Sequence, residues 1–77
     1  MSVKVYSTHS CPWCTRVKEF LKENSIEFLD INVASDINSA KEMVEKSGQM
    51  GVPVIDANGE IIIGFNEPRL REMLDIK

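Results

Sequence analysis

Seventy-seven residues, 43% of them apolar and 27% charged, suit one small soluble domain spanning residues 1–77 and are too apolar for a disordered chain. A net charge of −3 leaves no excess of basic surface, which argues against nucleic-acid binding. No apolar run approaches the roughly 20 residues of a membrane span, and Met1-Ser2-Val3-Lys4 carries none of the marks of a secretory signal. A cytoplasmic chain with no membrane contact is expected, monomeric because so small a domain has little apolar surface to spare.

Val3-Lys4-Val5-Tyr6 alternates as a strand does. Thr8-His9-Ser10-Cys11 then leads into Pro12, which suits the first turn of a helix because the N–H it lacks has no partner there. From Pro12 to about Glu23, Cys14, Val17, Phe20 and Leu21 recur at helical spacing, with Arg16, Lys18, Glu19, Lys22 and Glu23 on the opposite face. Glu27 to Val33, carrying Phe28, Leu29, Ile31 and Val33, predicts a mostly buried strand. It should run parallel to the first, since a helix lies between them.

Ser35 or Asp36 can cap a second helix with Ile37, Ala40, Met43 and Val44 as its buried stripe, and Gly48 is placed to stop it. Pro53-Val54-Ile55-Asp56 and Glu60-Ile61-Ile62-Ile63 flank Ala57-Asn58-Gly59, and Asn-Gly is the strongest short signal for a tight hairpin. Asn66 predicts the cap of a last helix, with Pro68 in its first turn and Leu70, Met73 and Leu74 facing inward. The fold class is therefore α/β: a four-stranded mixed sheet with three helices in the order βαβαββα.

The chemistry centres on Cys11-Pro12-Trp13-Cys14 at the strand-to-helix junction. A helix start offers unpaired N–H groups and a dipole that favours negative charge. A thiolate at Cys11 gains from both, so its pKa should lie below the roughly 8.5 of a free cysteine. Cys14 follows one turn later on the buried stripe. The pair thus divides into an exposed attacker and a buried resolver that displaces product by closing a short disulfide. A structural zinc site usually needs four Cys or His ligands, and His9 brings the total here only to three. His9 reads as a solvated loop residue, and Met43, Met50 and Met73 as core or loop. Trp13 reads either as an aromatic wall for a peptide-like ligand or as a surface residue. Val52-Pro53 is either a plain strand start or a cis peptide that turns the Val52 backbone toward an extended substrate.

These residues, Val5-Tyr6, Cys11-Pro12-Trp13-Cys14, Ser47-Gly48, Val52-Pro53 and Gly64, resemble the glutaredoxin family of the thioredoxin-like fold in order and spacing along essentially the whole chain. The resemblance implies an enzyme, a thiol-disulfide oxidoreductase with catalytic Cys11 and Cys14 and no tightly bound cofactor or metal. It further implies glutathione as co-substrate, disulfide-containing proteins as partners, a cis Pro53, a Val52 backbone that pairs with glutathione, and a Trp13 that lines its groove. The lysine many members carry three residues before the first cysteine is Thr8 here. Gln49 stands at a position that is often basic or glutamine and can still donate hydrogen bonds, Gly51 replaces a frequent threonine, and Ile63-Gly64 a Gly-Gly pair. Asn66 and Glu67 occupy the places of the acidic residues that hold the γ-glutamyl amine. Gly64-Phe65-Asn66-Glu67-Pro68 is similar to small redoxins that serve ribonucleotide reductase and are reduced by thioredoxin reductase. That is the second functional reading, and an iron–sulfur binding module a third.

Overall fold

The structure, a computed structural model, describes residues 2–76. Its elements in chain order are β1 (Val3–Ser7), α1 (Pro12–Glu23), β2 (Leu29–Asn32), α2 (Ile37–Ser47), β3 (Val54–Ala57), β4 (Glu60–Ile63) and α3 (Glu67–Met73). The sheet order is β2-β1-β3-β4. β1 runs parallel to β2 and antiparallel to β3, with Val5 opposite both Asp30 and Ile55, and β3 pairs antiparallel with β4. This is the thioredoxin-like arrangement, in the βαβαββα order the sequence predicts.

Strand alternation divides the core into two halves, one on each side of the sheet. On one side Val3, Val5, Ile55, Ala57 and Ile62 pack against Val17, Phe20 and Leu21 of α1 and against Leu70 and Leu74 beside α3. On the other side Tyr6 and Val54 meet Met43 of α2, with Ile31, Val33, Val52 and Ile61 at the margin. Phe20 and Phe65 meet edge-on at 5.7 Å and tie the β4–α3 link to α1.

Local signals set most element ends. Asp36, not Ser35, caps α2, accepting from the N–H groups of Asn38 and Ser39 at 3.0 and 3.3 Å. Ser35 instead donates its hydroxyl to the Asn32 carbonyl. Gly48 ends α2 at φ 74°, donating its N–H to Val44 O at 2.7 Å. Asn58 and Gly59 take φ 54° and 91°, the paired left-handed geometry of a two-residue hairpin turn. Asn66 caps α3 by accepting from the Arg69 N–H.

Two expectations need correction. β2 is not mostly buried: it is an edge strand, and Leu29 is 57% exposed, because α2 packs over β1 and β4 and leaves that edge uncovered. Ile37 is not in a buried stripe either. It is 70% exposed, while Ala40 and Val44 are half-buried and Met43 alone among the four is fully covered. The stripe is wider than the sheet surface beneath it.

A charged cluster fastens α2 to the sheet. Lys46 Nζ donates to Asp56 Oδ2 at 2.7 Å and to Tyr6 Oη at 3.0 Å, and lies 2.9 Å from Glu42 Oε1. Tyr6 Oη in turn donates to Glu42 at 2.9 Å. The hydrogen bond to Asp56, then those to Tyr6 and Glu42, hold the Lys46 pKa well above its ordinary value. Burial pushes the Asp56 carboxyl up, but the Lys46 ammonium and the Gly59 N–H outweigh it and leave the pKa lowered. Hydrogen bonds from Lys46 and Tyr6 lower that of Glu42, and burial raises that of Tyr6. Among the described residues no helix is long and apolar enough to cross a membrane.

The depressed carboxylates contribute stability that is present above their unfolded pKa values, about 4, and is lost as the pH falls through the folded ones. Raised Lys46 and Tyr6 contribute stability that is full below their unfolded values, about 10, and lost as the pH climbs toward the folded ones. Lys46→Met should therefore cost about 2 kcal/mol in urea unfolding at pH 7 and flatten the loss of stability on the acid side, where Asp56 and Glu42 lose the cation that lowers them. Equal stability of the two proteins at pH 7 would refute the role given to the cluster.

Candidate active site

The site forms where β1 delivers the chain to the start of α1. Cys11 has extended backbone angles (φ −102°, ψ 106°) and occupies the N-cap of α1, with Pro12 at the first helical position. Its sulfur accepts the Cys14 N–H at 3.1 Å, taking the place that a serine or aspartate oxygen fills in an ordinary cap. Thr15 N–H closes the first turn on the Cys11 carbonyl at 3.3 Å. Cys11 and Cys14 are disulfide-bonded, with Cα atoms 5.2 Å apart. Cys11 is half-buried and Cys14 fully buried, so one sulfur faces outward and the other looks into the fold.

Beside the pair lies a groove of about 240 Å³ lined by Trp13, Val52, Pro53, Gly64 and Phe65. Trp13 is 55% exposed, and the Arg16 guanidinium stacks 5.2 Å from its ring centroid. The Val52–Pro53 peptide is cis. Neither the N–H nor the carbonyl of Val52 finds a hydrogen-bond partner among the described residues. Pro53 O accepts the Gly64 N–H at 2.8 Å, which joins the two backbone walls of the groove.

The remaining residues singled out in the sequence stand differently. Gln49 folds its carboxamide onto its own loop: Nε2 donates to Gly51 O at 2.9 Å and Oε1 accepts the Gly51 N–H at 2.6 Å. A Cβ at position 51 would come within 2.7 Å of Gln49 Oε1, so this clip depends on the glycine. Asn66 Oδ1 is engaged as the α3 cap, and Glu67 pairs with Arg71 at 3.1 Å. Gln49, Asn66 and Glu67 are thus not among the residues lining the groove, whereas Trp13, Val52 and Pro53 are. Phe65 enters the groove unforeseen as a wall. Its signal in the sequence was an aromatic placed directly after Gly64 and before a helix cap. His9 Nε2 lies 2.9 Å from the Asn32 amide, which itself accepts the Ala34 N–H, a loop-fixing contact. Among the described residues no group of three or more His, Cys, Asp or Glu is placed to hold a metal ion.

A disulfide pair at a helix start, on a thioredoxin-like fold with a cis proline leading into β3, defines a thiol-disulfide oxidoreductase. The glutaredoxin family model matches residues 3–62, and the chain belongs to that family. It is 47% identical over 73 residues to an uncharacterized glutaredoxin-like 8.6 kDa protein in the rubredoxin operon of Clostridium pasteurianum, covering 95% of this chain and 97% of that one. It is 36% identical to the glutaredoxin-like protein NrdH of Lactococcus lactis subsp. cremoris, over 92% of this chain and 97% of that one. Among solved structures, a thioredoxin-like protein superimposes with a TM-score of 0.93 at 29% identity, covering 99% of this chain and 97% of that one.

Once the disulfide is reduced, the Cys14 N–H and the helix dipole are expected to favour a Cys11 thiolate over the thiol. Titration by thiolate ultraviolet absorbance should give a Cys11 pKa at least one unit below the roughly 8.5 of a free thiol. A value at or above 8.5 would show that the cap does not govern reactivity.

Proposed function

We propose that this chain reduces protein disulfides through Cys11 and regains its electrons from a protein reductase of the thioredoxin-reductase kind. The Cys11 thiolate attacks one sulfur of the target, the target S–S bond breaks, and the departing thiolate takes a proton from solvent. The Cys14 thiolate then attacks Cys11 Sγ, breaking the mixed disulfide and releasing the second target thiol. Two electrons pass to the target, and the protein is left with the Cys11–Cys14 disulfide for the reductase to reopen. Only a thiolate attacks, and departure is faster from the sulfur of lower pKa.

The observation that carries this reading is what the groove presents: apolar walls and a Val52 backbone edge with no hydrogen-bond partner among the described residues. An extended polypeptide needs nothing more, because main-chain hydrogen bonds supply the pairing. Glutathione brings two carboxylates and an ammonium, and the side chains suited to them, Gln49, Asn66 and Glu67, are engaged within the chain. The 36% identity to NrdH over nearly the full length of both chains points the same way.

Glutathione as reductant is the second reading, favoured by family membership and by a groove small enough for a cysteinyl-glycine unit. In it Trp13 and Pro53 wall the groove and Val52 pairs with the cysteinyl backbone. Gln49 releases Gly51 to donate to a carboxylate, while Asn66 and Glu67 meet the γ-glutamyl amine.

A paired assay separates the two. Reduction of insulin disulfides is followed with NADPH and thioredoxin reductase in one arm, and with NADPH, glutathione and glutathione reductase in the other. Turnover in the first arm alone is expected; turnover in the second alone would establish glutathione. Cys11→Ser should abolish activity in either arm. Cys14→Ser should cut insulin reduction by about 100-fold or more while still forming the mixed disulfide. Equal loss in both variants at the mixed-disulfide step would sink the assignment of attacker and resolver.

A further inference from the structure

Gln49 stands outside the groove, yet its carboxamide grips the peptide unit that carries the Val52 N–H. A backbone carbonyl only accepts and a backbone N–H only donates, so the partners fix which way the carboxamide faces. Nε2 donates to Gly51 O at 2.9 Å, and Oε1 accepts the Gly51 N–H at 2.6 Å. Gly51 O and the Val52 N–H belong to one peptide, and that peptide is trans. In a planar trans peptide the N–H points opposite to the carbonyl. The bond that draws Gly51 O toward Gln49 therefore turns the Val52 N–H away from it. That N–H is a donor with no partner among the described residues, on a residue that lines the groove.

The clip is itself anchored. The Gln49 N–H donates to Ser47 Oγ at 3.4 Å, and Ser47 Oγ donates to Met43 O at 2.7 Å within α2. Gly51 needs no glycine for its own backbone, since it is not among the glycines with positive φ. A Cβ there would meet only the Gln49 side chain, 2.7 Å from Oε1. What the missing side chain provides is room for the clip.

We propose that Gln49 is a positioning residue of the redox site, its carboxamide holding the Gly51–Val52 peptide so that the Val52 N–H meets a carbonyl of the target backbone. The inference rests on the reading that an extended target pairs with Val52. It adds the side chain that sets the direction of that pairing, and it makes Gly51 the position that decides whether the clip can close.

The test uses two mixed disulfides with thionitrobenzoate. One is formed with N-acetylcysteine methylamide, which carries a peptide unit on either side, and the other with 2-mercaptoethanol, which carries none. The second-order rate of thionitrobenzoate release by the reduced protein is measured for each. Dividing the ratio of the two rates by the same ratio for free dithiothreitol removes the intrinsic difference between the two sulfurs. In the unsubstituted protein the corrected ratio should exceed one by about tenfold. It should fall about fivefold, the worth of one hydrogen bond, in Gln49→Met and in Gly51→Ala, which break the clip from opposite sides. Gln49→Glu keeps an acceptor for the Gly51 N–H but loses the donor to Gly51 O, and should fall as far. A loss of folding or of Cys11 reactivity lowers both rates together and leaves the ratio unmoved. A ratio unchanged in Gln49→Met or in Gly51→Ala overturns the positioning role while leaving the pairing at Val52 intact. A ratio near one in the unsubstituted protein removes that pairing, and the inference with it.

Discussion

The hydrogen bond from the Cys14 N–H to the Cys11 sulfur is the contact around which the molecule is arranged. A helix start must satisfy its orphan N–H groups, and the usual device is an oxygen on the capping side chain. Here a sulfur does that work, so the cap that starts α1 is made by the redox pair itself. The first turn of α1 contains no acidic residue. A carboxylate there would compete with the thiolate for the same N–H groups and the same end of the dipole. Pro12 adds no donor and fixes its own φ, leaving the turn to the two cysteines.

The two halves of the core hold the elements on either side of that contact. Cys14, Val17, Phe20 and Leu21 bury one side of α1, so the helix cannot rotate Cys11 away without exposing four core side chains. On the other side of the sheet α2 has only Met43 fully buried, a weak anchor for an eleven-residue helix. The Lys46 cluster compensates, linking α2 to Tyr6 on β1 and Asp56 on β3. The loop that carries Val52 and Pro53 hangs between α2 and β3, so its position is set by elements the cluster fastens together.

Elements whose cause is local were legible in the sequence. Asn58-Gly59 dictates its turn through positive φ, Pro12 and Pro68 mark first turns, and Asp36, Gly48 and Asn66 end their helices by hydrogen bonds spanning four residues or fewer. Periodicity failed where the answer depends on what lies opposite. It groups Ile37, Ala40, Met43 and Val44 on one stripe, but not how much of that stripe a four-stranded sheet covers. Leu29 is apolar within a strand and still exposed, because edge position is a property of the sheet and not of the segment. The Lys46 cluster was invisible for a related reason, since a lysine and a glutamate four apart on a helix read as a solvated pair until a third and fourth partner arrive from the sheet. At the candidate site, the Cys11-Cys14 spacing and its place before a helix-starting proline point to the pair that the structure joins by a disulfide. Phe65 and the engagement of Gln49 were not legible, because residue type reveals that a donor exists and not whether it is already spent.

Gln49 and Gly51 act as a single feature, and only the glycine departs from the family pattern. Removing the side chain at position 51 opens the space in which the Gln49 carboxamide closes on the loop backbone, and that closure occupies a group otherwise free to meet a charged ligand. What remains in the groove walled by Trp13, Pro53 and Phe65 is an apolar surface and the peptide unit of Val52. A site that binds by backbone alone has affinity without selectivity, since every polypeptide offers the same hydrogen bonds.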